Sequence, residues 1–120
     1  MQINSETYPA SQEPFYQINN SWRRLKKLNQ DIQEQAGISL DEAIVLCCLS
    51  QRCKCQGDVA EQTGLTITQA SRVLSRLENK SLIQRSIDDA DKRKMIFTIT
   101  STGLQTLEIV APLGAGHLKM

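Results

Sequence analysis

Apolar residues recur at Ile18, Trp22, Leu25, Leu28, Ile32 and Ala36. Steps of three and four residues return to one face of an α-helix, so the spacing predicts a helix over about 15–36. Gly37 stops it, because glycine tolerates the left-handed conformation that closes a helix. The outer face carries Arg23, Arg24, Lys26 and Lys27. Ser39 then reads as an N-cap, with Glu42 three residues on to complete a capping box. The helix it opens, roughly 40–50, is apolar almost without break from Ala43 to Leu49. Such a helix is expected to be buried on all sides.

A short third helix fits 56–63 and breaks at Gly64. A fourth fits 67–80, capped by Thr66 with Gln69 as the reciprocal partner. Ala70, Val73, Leu74 and Leu77 fall on one face of it, leaving Thr68, Gln69, Ser71, Arg72, Ser75 and Arg76 on the other. The period then changes from helical to alternating. LIQRSI and KMIFTIT flank the turn-rich DDADK, and Met95, Phe97 and Ile99 share a face. Two strands with a charged turn between them predict a β-hairpin. Thr100 or Ser101 caps a final helix through about Val110, ended by Pro112. The expected organisation is a loose polar arm over 1–14, one domain over 15–111 and a frayed tail over 112–120. The fold class is mainly α with a small β-hairpin (α+β).

The third and fourth helices form a constellation with Val59, Ala60, Gly64, Leu65, Ala70 and Val73. Ala60 lets the helices approach, Gly64 makes the turn, and the larger apolar residues hold the pair to the core. This is the spacing of a helix-turn-helix, whose second helix enters the major groove of DNA. The hairpin directly after it makes the unit a winged helix-turn-helix.

From GDVAEQTGLTITQASRVLSRLENKSLIQR through DDADKRKMIFTITSTG the chain resembles the MarR-type winged-helix transcription regulators. That family's wing signature is Asp-x-Arg, then Leu-Thr-x-x-Gly after a short strand. Here it reads Asp91-Lys92-Arg93 and Ile99-Thr100-Ser101-Thr102-Gly103. The resemblance covers roughly 38–110. It implies a sequence-specific DNA-binding regulator, by default a repressor, acting as a homodimer on a pseudo-palindromic operator. The recognition helix, about 67–80, would lie in the major groove and the wing, about 87–95, in the minor groove. Arg93 would be the minor-groove reader and Asp91 its brace. An arginine in a narrow minor groove meets enhanced negative potential, and a nearby carboxylate can hold it by charge-assisted hydrogen bonds.

The expected DNA-binding residues are therefore Thr66, Thr68, Gln69, Ser71, Arg72, Ser75, Arg76, Asp91, Lys92, Arg93 and Lys94, with Arg76 the one reaching the backbone. The sequence departs from the family at Ser81, where glycine is usual. Relatives also dimerise through the first helix and a longer C-terminal pair. Here the interface is expected either to be reduced or to rest mainly on the first helix, through Ile18, Trp22, Leu25 and Leu28, the alternative for these four being intramolecular core. The resemblance also implies a small-molecule effector near that interface.

Composition changes this picture little. Of the 120 residues 40% are hydrophobic and 22% charged, the balance of a single globular domain. No apolar run approaches the ~18 residues of a membrane span, and the N-terminus lacks a signal-peptide pattern. A cytoplasmic location and no membrane partner are the expectation. Net charge is only +1. Residues 66–94, however, hold seven bases against four acids. A local basic surface suits a phosphate backbone.

All four cysteines fall in CCLSQRCKC. In a reducing compartment they are not expected to be structural disulfides. Cys47 and Cys48 lie in the apolar helix and read as small packing residues. Cys53 and Cys55 precede the third helix. Cys55 stands at its N-cap beside Lys54, where a thiol pKa is lowered, with Asp58 opposing. That pair is the candidate thiol-based redox or metal response, with an oxidant as effector. The spacing departs from the usual zinc pairing, so no metal ligand set or cofactor is assigned. No catalytic constellation is present: no Ser-His-Asp set, phosphate-binding glycine loop or HExxH, and no histidine near Cys55. The chain reads as no enzyme. The alternative is a winged helix used for protein contacts without specific DNA binding, against which the basic wing residues Arg93 and Lys94 count.

Overall fold

The computed structural model describes residues 12–51 and 54–119. Five helices and one hairpin follow in order: α1 (Glu13–Ala36), α2 (Leu40–Gln51), α3 (Gln56–Thr63), α4 (Ile67–Asn79), β1 (Ile83–Ile87), β2 (Met95–Ile99) and α5 (Ser101–Leu118). The winged helix-turn-helix expected from the pattern is the fold observed.

Local chemistry sets the helix ends. Gly37 and Gly64 close α1 and α3 with φ of 71° and 80°. Ser39 and Glu42 form the expected capping box: the Glu42 carboxylate accepts from the Ser39 amide at 3.1 Å, and the Ser39 hydroxyl accepts from the Glu42 amide at 3.4 Å. Pro14 was expected in the N-terminal arm but lies in the first turn of α1. Proline is tolerated there because that turn's amides have no helical partner. The rest of the arm, 1–11, lies outside the described residues.

The core is built where α2, α3, α4 and the start of the hairpin meet. Val45, Leu46, Val59, Ala70, Leu74, Leu77 and Ile83 are almost completely buried. The apolar face of α4 is the expected one. In α1 the single predicted stripe divides. Leu28 and Ile32 are buried, whereas Phe15, Ile18, Trp22 and Leu25 remain exposed. Helix α2 is not buried all round as expected. Ile44 and Cys47 face outward, because one side of α2 has no element packed over it.

β1 pairs antiparallel with β2, Ile83 opposite Ile99 and Ile87 opposite Met95. A third backbone segment joins the sheet's edge: the Phe97 amide donates to the Lys54 carbonyl at 2.7 Å. The Ile99–Gly103 signature ties this sheet to α5. The Thr100 hydroxyl donates to the Ser81 carbonyl at 2.9 Å and accepts from the Gly103 amide at 3.1 Å. The Thr100 amide donates to the Leu82 carbonyl at 3.0 Å. A Cβ on Gly103 would collide with that same Leu82 carbonyl and with the Ile99 side chain. The threonine and the glycine are thus needed to seat α5 against the α4–β1 turn.

Helix α5 departs most from expectation. It was predicted to stop before Pro112 and leave 112–120 frayed, yet it runs to Leu118 with Pro112 inside it. A mid-helix proline removes one hydrogen bond and crowds the preceding turn, a cost of about 3 kcal/mol. Packing against α1 offsets this. Leu113 rests on the core, and Arg24 of α1 donates to the His117 carbonyl at 2.9 Å.

Among the described residues, Ser81 is the non-glycine residue with positive φ, at 62°. The Ser81 amide donates to the Glu78 carbonyl and the Leu82 amide to the Leu77 carbonyl, both at 3.0 Å. This is a Schellman closure of α4 with serine in the position that glycine favours. Ser81→Gly should therefore raise unfolding free energy by up to ~1 kcal/mol. Gly103→Ala should lower it, having no room for the added carbon. Urea denaturation of the two variants reads both signs, and a neutral Gly103→Ala would refute the seating role.

Candidate nucleic-acid interface

The helix-turn-helix presents α4 with its first turn outward. Thr66 at the N-cap accepts the Gln69 amide on its hydroxyl at 3.1 Å, and the Gln69 side-chain oxygen accepts the Thr66 amide at 2.9 Å. The expected capping box is complete. It also uses the Gln69 side-chain oxygen, which a bidentate contact to adenine would need. A hydrogen bond from Gln56 Nε2 to the Ile67 carbonyl, 3.3 Å, ties the starts of α3 and α4 together. With Ala70, Val73, Leu74 and Leu77 buried, the residues pointing away from the core are Thr68, Ser71, Arg72, Ser75 and Arg76. Ser71 is half-buried and the other four are exposed.

Arg76 is already engaged. Its guanidinium donates to Asp41 at 2.8 Å, from the C-terminal half of α4 to the start of α2. One turn on, Lys80 donates to both oxygens of Glu42 at 3.0 and 2.9 Å and to the Gly37 carbonyl at 3.2 Å. Glu42 is buried, 3% exposed. Burial pushes its carboxyl up, but hydrogen bonds from Lys80 and Ser39 outweigh this and hold it below the ordinary carboxylate range. Asp41 behaves likewise: partial burial raises it, and Ser39 and Arg76 bring it down further. The two ion pairs brace the far end of α4. The sequence offered no signal for them, since the partners lie 35 and 38 residues apart.

The wing loop closes through its own acids. The Asp88 side chain accepts the Ala90 amide at 2.9 Å, and the Asp88 amide donates to the Lys94 carbonyl at 2.9 Å. Asp91 accepts from the Arg93 amide at 3.1 Å and from Arg93 Nε at 3.3 Å. The Arg93 side chain is otherwise in solvent, 93% exposed, and Lys92 and Lys94 are exposed beside it. Arg85 at the base of the wing is held by Glu78 at 3.1 Å and lies over the Phe97 ring.

Among the cysteines, Cys47 and Cys55 are free thiols. Cys48 is half-buried and disulfide-bonded. Cys47 and Cys48 were expected to be packing residues without disulfides; Cys48 does pack against the core but is bonded, and Cys47 does not pack. Cys47 faces solvent on the uncovered side of α2, and the Cys48 sulfur is in a covalent bond. Cys53 lies outside the described residues. Cys55 stands at the N-cap of α3 as expected, but its side chain makes no capping bond. Its thiol hydrogen-bonds Asp58 instead, which with the Lys54 amide holds the Asp58 carboxyl below its usual range. Among the described residues no group of three or more His, Cys, Asp and Glu could hold a metal ion. Nor is any helix among them long and apolar enough to cross a membrane.

A cavity of about 740 Å³ opens between α1 and α5. Arg23, Arg24, Lys27 and His117 line it with Asp31 and Pro112. Asp31 neutralises Lys27 at 2.6 Å, leaving the wall basic.

The sequence model of the MarR family matches residues 38–95. An uncharacterised HTH-type transcriptional regulator of Bacillus subtilis, YwaE, is 39% identical over 54 residues, which are 45% of this chain and 32% of that protein. The match thus spans about a third of the length of that curated relative. Among solved structures, BpsR of Bordetella bronchiseptica superposes with a TM-score of 0.78 at 24% identity, over 93% of this chain and 81% of that one. Its DNA binding is regulated by 6-hydroxynicotinic acid. The Staphylococcus aureus MepR–DNA complex superposes with a TM-score of 0.77 at 25% identity, again over 93% and 81%.

The Asp41–Arg76 pair is roughly half-exposed on both sides, so its coupling should be no more than ~1 kcal/mol. A double-mutant cycle with Asp41→Asn and Arg76→Gln, read by urea unfolding, measures it. Exchanging the charges, Asp41→Arg with Arg76→Asp, should recover most of the stability that either single change loses. Strict additivity would show that the pair does not brace the helix.

Proposed function

We propose that the chain, whose residues 38–95 match the MarR family model, is a transcriptional regulator of that kind that binds double-stranded DNA as a homodimer, by default as a repressor. The observation that carries this reading is the pairing of an outward-facing recognition helix with a basic wing on one winged helix-turn-helix. Thr68, Ser71, Arg72 and Ser75 are the side chains for base edges and phosphates in the major groove. The backbone around the Thr66–Gln69 cap offers amides to phosphate. Arg93, steadied by Asp91, enters the minor groove, and Lys92 and Lys94 neutralise the backbone beside it.

The exposed stripe of Phe15, Ile18, Trp22 and Leu25 on α1 supports dimerisation. Residues 15, 18, 22 and 25 are spaced three and four apart, the seam of a helix pair. A patch of this kind is costly to leave in water. Two half-sites also give affinity that one short helix does not. The basic cavity between α1 and α5 supports an anionic small-molecule effector. A thiol response at the cysteine cluster is supported by the bonded state of Cys48 and by the hydrogen bond from Phe97 of the wing to the Lys54 carbonyl, which links that connector to the hairpin.

Fluorescence anisotropy on DNA from upstream of its own gene tests the reading. Salt-sensitive binding is expected, weakening at least tenfold for Arg72→Ala or Arg93→Ala at matched salt. Affinity unchanged in both variants would sink it. Sedimentation should give the mass of two chains, and Trp22→Glu should shift it toward one. The same titration with and without reductant reads the thiol response. Equal affinity in the two would leave the cysteines without a regulatory part.

A further inference from the structure

One large apolar side chain on the recognition helix has no place in the fold. Val73, Leu74 and Leu77 of α4 are 2%, 1% and 0% exposed, whereas Ile67 is 55% exposed. Ile67 is the first residue of α4, directly after the Thr66 cap. Its neighbours one residue and one turn on are Thr68, Ser71 and Arg72, the residues that face away from the core. Its carbonyl is fixed by Gln56, so the first turn is held and the side chain projects from a defined position.

A β-branched apolar residue at this site does nothing for the capping box, which Thr66 and Gln69 complete alone. It also has modest helix propensity. The exposed apolar stripe of α1 lies on another element. The first residues of a recognition helix reach base edges in the major groove. In that groove a single apolar group distinguishes the bases, the 5-methyl of thymine. A polar edge has no counterpart for a branched alkyl group.

Resting on the DNA-binding reading above, we propose that Ile67 is a specificity-determining residue that recognises thymine through its 5-methyl group. Contact removes apolar surface of both groups from water without a hydrogen bond. Ile67 therefore selects thymine where Thr68, Ser71 and Arg72 use donors and acceptors. The sequence reading overlooked it because it sorted the helix into an apolar inner face and a polar outer one.

The test uses the full chain and a duplex isolated from a random pool by affinity selection with the purified protein. Each thymine in turn is replaced by deoxyuridine, which keeps every donor and acceptor and lacks only the methyl. At one position per half-site the wild type should lose about fourfold in affinity, the worth of one buried carbon. Ile67→Ala, too short to follow, should bind the thymine and deoxyuridine duplexes alike, and Ile67→Val should keep part of the difference. Circular dichroism controls for folding. If the wild type is indifferent to every replacement, or if Ile67→Ala loses as much as the wild type does, the proposal is overturned while DNA binding stands. If no duplex can be selected, the DNA-binding reading falls and takes this inference with it.

Discussion

The buried carboxylate of Glu42 holds the architecture together at one point. It caps the start of α2 through Ser39 and takes both its oxygens to Lys80 at the end of α4. Lys80 in turn reaches the carbonyl of Gly37, which closes α1. Three helices thus meet on one ion pair. Removing one partner of such a pair would leave a charge stranded in the interior, a cost of about 3–5 kcal/mol for a fully buried pair and less here because the Lys80 side chain is 39% exposed. A packed apolar pair could match its stability but not its direction. The value of the interaction lies in orienting α4, whose outward face depends on where its axis points.

From that fixed axis the rest of the interface is built in steps. Ser81 closes α4 in the left-handed conformation and starts β1 after one residue. Thr100 then stitches the end of β2 back to the same turn, and Gly103 allows α5 to approach. The Ile99–Gly103 signature therefore acts in folding, not at the DNA surface. It sets the base of the wing, while Asp88 and Asp91 shape its tip. The wing loop contributes exposed charge on a backbone closed by its own side chains. That is the arrangement of a surface meant to meet another one.

The cysteine cluster joins this framework at the edge of the sheet. Residues of CCLSQRCKC leave the end of α2, and the Lys54 carbonyl receives the Phe97 amide of β2. Cys55, next to Lys54 in the chain, is therefore one residue from a short hydrogen bond to the wing's second strand.

Much of the fold was readable because it is written locally. Capping boxes at Ser39 and Thr66, glycine stops at Gly37 and Gly64, and the change of period after residue 82 each involve residues within four positions of one another. The recognition helix and the basic wing were legible for the same reason. Apart from the place of Pro14 in the first turn of α1, the misreadings of the fold were questions about distant partners. Pro112 ends a helix by local rules, yet α5 continues because α1 lies alongside it. The stripe on α1 looked continuous, and only the positions of the other helices divide it into a buried half and an exposed one. Arg76 and Lys80 read as a basic face until the fold places Asp41 and Glu42 across from them. Sequence by itself determined which segments are helix or strand and, except at the end of α5, where they stop, since backbone hydrogen bonds and caps act over a few residues. Tertiary structure alone decided which faces are covered and which charges are already satisfied, because burial and ion pairing depend on what the rest of the chain brings near.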